Sequence, residues 1–177
     1  MILETWGATP AEVAGAVVGD ELLPDARVTA TRCITIAAAA DDVFPWLRQM
    51  GFGRAGWYSY DWIDNLGRRS ARSINPEWQN VQSGDVVPGG PVGFEAVIVD
   101  APRAFVLRVA GAGRMAQRVG FTLAYELRDC DEGTRLVTRM RARLNVPGGR
   151  FIERFLLTPG DGIMLRRQLL NVASRCA

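Results

Sequence analysis

The chain contains neither histidine nor lysine, so all 21 of its basic residues are arginine. Histidine is the usual general base beside a nucleophilic serine or cysteine, and lysine meets the phosphates in glycine-loop kinases. A hydrolase triad built on histidine and a lysine-dependent kinase are therefore both excluded. Aspartate, glutamate, tyrosine and arginine remain as the groups able to move protons.

Cysteine is scarce, and Cys33, Cys130 and Cys176 lie far apart with no C-x-x-C pair. We expect no zinc or other metal site, no cofactor, and a reduced, cytoplasmic setting. No basic residue precedes Arg27, and no apolar run approaches the about 20 residues of a membrane span. The sequence therefore predicts neither a secretory signal nor stable membrane insertion.

Charge of one sign is not concentrated anywhere, since the 21 arginines are scattered among 19 acidic residues and the net charge is +2. This distribution gives no electrostatic reason to expect a nucleic-acid partner. A chain of 177 residues suits one domain. We assign residues 1–177 to that domain, with residues 1–27 as an N-terminal extension that carries a short helix.

Aromatic residues and glycines are instead concentrated between Met50 and Leu66, in the segment MGFGRAGWYSYDWIDNL. Bulky rings that follow a glycine-rich loop predict a wall or lid over an internal space. Gly51, Gly53 and Gly56 spell G-x-G-x-x-G, but a predicted helix precedes them where a dinucleotide site requires a strand. The glycines are better interpreted as a helix stop and a loop, and we expect no NAD or ATP binding.

The hydrophobic pattern predicts a strand over Val28–Ile36, helices near both ends, and a long run with period two after Gly84. On the last predicted strand, apolar residues alternate with arginines that include Arg135 and Arg139. This is typical of an antiparallel meander with one solvated face. An RNA-binding face is the alternative, but no aromatic stacking residues alternate with the arginines.

The C-terminal segment predicts two helical stretches, because Pro159 and Gly160 interrupt the pattern. Asp161 suits the start of the second stretch, on which Leu165, Leu169 and Val172 share one face.

Three separated segments resemble one family: GFGRAGWYSYDWIDNLGRRSA, INPEWQNVQSGDVVP and PGDGIMLRRQLL. From about Trp6 to the end, the chain resembles the SRPBCC superfamily (START-like, helix-grip), and within it the bacterial polyketide cyclase/dehydrase and lipid transport branch. The resemblance implies an α+β helix-grip fold, in which a curved antiparallel sheet wraps around a long C-terminal helix and leaves an apolar cavity. It carries no catalytic motif that transfers residue by residue.

The predicted ligand-binding residues come from three parts of the chain: Trp57, Tyr58, Tyr60 and Trp62 from the aromatic segment, Glu95 and Tyr125 from the strands, and Met164 from the C-terminal helix. The candidates for acid–base chemistry are Asp61, Asp64 and Glu95. Glu95 alternates with apolar neighbours, so it faces either the cavity or water.

The first functional hypothesis is a protein that binds a hydrophobic small molecule, such as a lipid or a polyketide, in an internal cavity. The alternative is a cyclase or dehydratase-type enzyme acting on a polyketide-like substrate, which two acids converging inside the cavity would favour. A third hypothesis, a regulator of a partner with no ligand, would require a filled core. The sequence leaves the oligomeric state open.

Overall fold

The computed structural model describes residues 3–110 and 118–176, and within them one antiparallel sheet faces one long helix. The strands are β1 Val28–Ile36, β2 Val86–Val87, β3 Phe94–Asp100, β4 Ala104–Val109, β5 Val119–Cys130 and β6 Gly133–Leu144. The α-helices are α1 Pro10–Ala14, α2 Ala40–Arg48, α3 Asp61–Asp64, a turn at Gly149–Ile152 and the C-terminal helix Thr158–Cys176. Short 3₁₀ turns occupy Asp20–Leu22 and Pro76–Trp78.

The strand order is β1-β6-β5-β4-β3-β2, and every neighbouring pair is antiparallel. The tight turn between β5 and β6 depends on Gly133, whose φ of 127° suits glycine and whose missing Cβ would meet the Ile36 carbonyl oxygen. This arrangement confirms the predicted α+β helix-grip fold, with a curved sheet around the C-terminal helix.

The main core lies between the inner face of the sheet and the C-terminal helix. Leu165, Leu169 and Val172 are all buried there, as their spacing predicts. Tyr125 and Phe105 reach toward them from the sheet, with their ring centroids 6.5 Å apart. Burial of this apolar surface is the dominant stabilising contribution.

The outer face of the sheet differs from the prediction of a solvated arginine face. The N-terminal residues cover it, and Arg139 is only 4% exposed. The Arg139 guanidinium donates to Asp20 at 2.7 Å and to the carbonyl oxygens of Glu12, Val13 and Gly15. The expectation was wrong because alternation along a strand identifies its two faces but does not show what covers the second one.

The C-terminal helix also differs from its prediction, because it runs from Thr158 through Pro159 and Gly160 without a break. Proline is tolerated in a first helical turn, where its missing N–H costs little. The irregularity lies just upstream, in a π-helical turn at Glu153–Leu157. There the Thr158 hydroxyl donates to the Glu153 carbonyl oxygen at 2.7 Å.

Candidate functional site

A cavity of about 420 Å³ lies between the inner face of the sheet and the C-terminal helix. Its apolar wall comes from β3, β5, the aromatic segment of residues 50–66, the π-helical turn and the C-terminal helix. It consists of Trp57, Phe94, Phe121, Leu123, Leu157, Met164 and Leu165. The Trp57 and Phe94 rings meet edge to face with their centroids 5.4 Å apart, and the centroids of the Phe94 and Phe121 rings are 6.1 Å apart. Such a wall suits an apolar molecule, since small-molecule sites are lined mainly by hydrophobic and aromatic side chains.

Two polar side chains of the cavity wall have buried oxygen atoms without a hydrogen-bond partner among the described residues. They are Ser59, through its hydroxyl, and Asp64, through both carboxylate oxygens. Burial raises the pKa of Asp64 to about 6, and the negative charge of Asp61 raises it further. Because a buried polar atom without a partner is costly, these oxygens are open positions for the polar group of a bound molecule.

Two other polar residues of the wall are already occupied. Gln168 accepts from the Tyr125 hydroxyl at 2.7 Å and donates to the Trp57 carbonyl oxygen at 2.8 Å. Asp161 accepts from Arg32 at 2.7 Å. Burial raises the pKa of Asp161, whereas the Arg32 charge opposes that rise. The cavity therefore holds two acids in different states, Asp161 paired with arginine and Asp64 unpaired.

Arg32 behind this site is fully buried on β1, and it is held by more than Asp161. Its Nε donates to the Leu3 carbonyl oxygen, while its Nη2 atom has no partner among the described residues. An arginine so deeply buried is rarely found without a paired charge. Arg32 thus fixes Asp161, and with it the start of the C-terminal helix, against β1.

The predicted aromatic residues divide between the cavity and other surroundings. Trp57 and Met164 line the cavity. Tyr58 is fully buried, but its hydroxyl accepts from Gln49 at 2.8 Å, and its ring contacts Trp46 outside the cavity wall. Tyr60 instead lies under the Arg167 guanidinium, 5.5 Å from it.

Trp62 and Tyr125 correct the prediction further. Trp62 is 74% exposed and is not part of the cavity wall, because α3 turns its side chain outward. Tyr125 is fully buried behind Gln168, so it supports a wall residue and does not line the cavity itself. Burial raises the pKa of the Tyr125 hydroxyl far above its usual range, which leaves it a hydrogen-bond donor at neutral pH.

The predicted acids divide in the same way. Asp61 accepts hydrogen bonds from the hydroxyl and backbone N–H of Ser70, so it holds the loop closed and faces a second pocket. Glu95 lies on the outer face of the sheet, where it pairs with Arg108 at 2.8 Å. The proposal that Glu95 reaches inward was therefore wrong. Asp64 alone of the three reaches the cavity.

Sequence reasoning missed several wall residues. Phe94, Phe121 and Leu123 lie in the run of period two after Gly84, and that pattern is the signal that could have named them as wall residues. Ser59 carried no signal. Its position follows from Tyr58, whose φ of 56° lies in the left-handed region that a tyrosine rarely adopts.

Two features are absent from residues 3–110 and 118–176. No group of three or more cysteine, aspartate or glutamate side chains is placed to hold a metal ion there. Within the same residues, no helix is both long and apolar enough to cross a membrane.

Comparison by sequence finds nothing, since no family model and no curated protein matches the chain. Comparison by structure finds clear matches. Major latex-like protein 151 from Panax ginseng superposes with a TM-score of 0.52 and 11% identity, over 85% of this chain and 97% of that one. The Aha1 protein from Colwellia psychrerythraea, solved as a dimer, superposes with a TM-score of 0.51 and 14% identity, over 84% of this chain and 96% of that one. The di-domain ARO/CYC StfQ from the steffimycin biosynthetic pathway superposes with a TM-score of 0.50 and 13% identity, over 89% of this chain and 53% of that one.

The chain therefore has the helix-grip fold that the sequence resemblance implied. It spans about half the length of the di-domain protein. The three matched proteins carry unrelated names although their TM-scores are similar. The likeness therefore defines the fold, and the activity has to be argued from the site.

Proposed function

We propose that this protein binds an apolar small molecule, such as a lipid or a polyketide, that carries a hydrogen-bond donor. The observation that supports the proposal is the pairing of an apolar wall with the unpartnered oxygens of Ser59 and Asp64. The wall offers apolar contact to most of a ligand, whereas a carboxylate accepts hydrogen bonds strongly. A ligand hydroxyl that donates to Asp64 would satisfy a buried acceptor, which is worth about 1–3 kcal/mol.

A titration with apolar probes tests the proposal. Tryptophan fluorescence would be followed while dodecanoic acid, 2-naphthol, an aromatic polyketide and a quinone are added. We expect saturable quenching by at least one probe, and a weaker effect in Trp57→Leu, because Trp57 lines the cavity. Trp62→Leu is the matched control, since its exposed ring lies outside the wall. Absence of saturable quenching in a folded protein would contradict the proposal.

Asp64 also favours a second candidate function, a cyclase or dehydratase-type enzyme. A carboxyl group whose pKa is about 6 changes its protonation state readily near neutral pH, which suits a general acid or base. In this alternative, the wall holds a folded chain and Asp64 moves a proton at a carbon next to a carbonyl. Asp161 is a poorer candidate because Arg32 already holds it.

Proton exchange separates the enzyme from the binder. A β-keto thioester would be incubated with the protein in D₂O, and exchange at the carbon between its carbonyl groups would be followed by NMR. The enzyme hypothesis predicts exchange faster than the protein-free rate, lowered about 100-fold or more by Asp64→Asn. Exchange at the protein-free rate, with the probe shown to be bound, would leave binding as the function.

A further inference from the structure

A second pocket, of about 470 Å³, lies beside the cavity and has the opposite chemistry. Among the residues that the structure describes, its wall contains three arginines, Arg72, Arg167 and Arg175, and one carboxylate, that of Asp61. The Asp61 carboxylate already accepts two hydrogen bonds from Ser70. The pocket thus holds an excess of positive charge.

None of these three arginines forms an ion pair with another described residue, and Arg175 is held by uncharged groups. Arg175 donates to the Ala71 and Asn171 carbonyl oxygens and lies 4.8 Å above the Tyr58 ring. Burial lowers the pKa of the Arg175 guanidinium, and the nearby positive charge of Arg72 lowers it further. Like charges gathered in this way favour an anion between them, and arginine geometry suits phosphate in particular.

An exposed apolar loop adjoins the arginine pocket. Asp61, in the pocket wall, is the first residue of α3 and is followed directly by Trp62 and Ile63, which are 74% and 48% exposed. Leu66 is 76% exposed and has a φ of 50°, a conformation that leucine rarely adopts. Large apolar side chains gathered in solvent usually mark an interaction site.

Two hydrogen bonds close the apolar loop, and more positive charge follows it. The Gly67 N–H donates to the Asp61 carbonyl oxygen at 2.7 Å, and the Asn65 amide donates to the Arg68 carbonyl oxygen at 2.9 Å. Exposed Arg68 and Arg69 come next in the chain. The loop therefore presents apolar side chains from a hydrogen-bonded backbone, next to the arginine pocket and to two further arginines.

We propose that the apolar loop and the arginine pocket together form a docking surface for anionic phospholipid membranes, with a headgroup phosphate in the pocket. Tryptophan favours the boundary between membrane and water, and basic groups beside it are attracted to anionic lipid. Asp64 belongs to the same loop and lines the apolar cavity, so docking would place the cavity wall at the lipid surface. The proposal goes beyond ligand binding, because docking does not require an occupied cavity.

Vesicle flotation of the full chain tests the proposal. Vesicles of phosphatidylcholine and phosphatidylglycerol at 3:1 would be compared with vesicles of phosphatidylcholine alone, at low and high salt. We expect binding to the anionic vesicles only, and weaker binding at high salt, because salt screens exposed charges. Absence of binding to anionic vesicles, or equal binding to both kinds, would overturn the proposal.

Variants assign the binding to this surface. Arg72→Gln with Arg167→Gln should weaken vesicle binding about 25-fold, or about fivefold for each charge. Trp62→Ser should weaken it about tenfold through lost apolar contact. Arg103→Gln with Arg118→Gln is the matched control, since both are exposed and lie outside the pocket wall. Circular dichroism shows that each variant is folded, and equal losses in the control pair would overturn the proposal.

Two further measurements distinguish other occupants of the same surface. Calorimetry with glycerol 3-phosphate that showed tight binding, in a protein without vesicle binding, would assign the pocket to a soluble anion and overturn the proposal. Sedimentation that showed a dimer abolished by Trp62→Ser, again without vesicle binding, would assign the loop to a second copy of the chain and overturn it equally.

Discussion

The outer face of the sheet and the cavity wall differ in how their buried polar groups are satisfied. On the outer face, Arg135 pairs with Glu12 and Arg139 with Asp20, each at 2.7 Å, under the N-terminal residues. In the cavity wall, Ser59 and Asp64 keep buried oxygens without partners among the described residues. A buried polar group whose hydrogen bonds are all formed is explained by its contribution to stability. A buried polar group without a partner beside a cavity indicates a binding position for a ligand.

Two arginine nitrogens within the described residues also lack a partner. They are Nε of Arg143 on the outer side and Nη2 of Arg32 on the inner side. Both atoms belong to guanidinium groups that form an ion pair through Nη1, Arg143 with Asp25 and Arg32 with Asp161. Asp64 differs from both, since neither of its carboxylate oxygens has a partner.

The largest expected effect is on stability, from the outer face. Arg139→Met removes five hydrogen bonds, including that to Asp20, and leaves buried acceptors without a donor. We expect a loss of about 3–5 kcal/mol in the free energy of unfolding. Urea denaturation measures it, while ligand affinity of the folded protein should be unchanged. A loss below about 1 kcal/mol would show that this network does not stabilise the fold.

The next effect is on binding, from the inner face. Gly160 lines the cavity, and a Cβ added there would meet no atom within 4 Å. Gly160→Leu should therefore fill part of the cavity and weaken binding of apolar probes roughly tenfold or more. The same change should stabilise the helix by roughly 0.5–1 kcal/mol, because glycine within a helix is less favourable than a residue with a side chain. Gly160→Ala should give this stabilisation without filling the cavity. Unchanged probe affinity in Gly160→Leu would place the ligand elsewhere.

The third effect is on the pH dependence of stability. The pKa of Asp64 is raised to about 6, so its proton stabilises the folded state below pH 4 and that contribution is lost as pH rises through about 6. Asp64→Asn has no such proton. Between pH 4 and pH 8, the free energy of unfolding of the parent should therefore fall by about 1 kcal/mol relative to that of the variant, a value reduced because Asp64 is partly exposed to solvent.

Thermal unfolding at a series of pH values measures that difference. Asp129→Asn is the matched control, because Asp129 is an exposed aspartate on β5. A difference between parent and Asp64→Asn that grew toward low pH would have the wrong sign and would refute the buried-carboxyl interpretation.

The smallest effect should come from Glu95, whose side chain is 32% exposed and paired with Arg108 on the outer face. Glu95→Gln removes an exposed ion pair, so it should change the free energy of unfolding by less than about 1 kcal/mol. Probe binding, measured by fluorescence, should be the same as in the parent. A clear loss of binding would return Glu95 to the candidate site.

The regular elements could be predicted because their patterns are local. Val28–Ile36 is a strand with the predicted bounds, and α1, the predicted N-terminal helix, is capped by Thr9 in a capping box with Glu12. Glu95 could not be assigned to a face, because alternation is symmetric and a bulge between Ala96 and Ile98 shifts the register of β3.

The site itself was harder to predict, because it depends on a loop. Asp64 was one of three acidic candidates, and nothing in its spacing distinguished it from Asp61. The difference arises because the Ser70 hydroxyl donates a hydrogen bond to the Asp61 carboxylate, whereas Asp64 lines the cavity. Such a choice depends on tertiary contacts, which a single sequence does not show.

The most direct test of the central claim is a calorimetric cycle with two probes and two proteins. 2-Naphthol carries a hydroxyl donor and 2-methoxynaphthalene does not, while Asp64→Leu removes the acceptor and keeps a side chain of similar size. If the open oxygens of Asp64 bind a ligand donor, the parent should prefer 2-naphthol about tenfold, and Asp64→Leu should abolish that preference. Equal binding of both probes by the parent, or an unchanged preference in Asp64→Leu, would contradict the account.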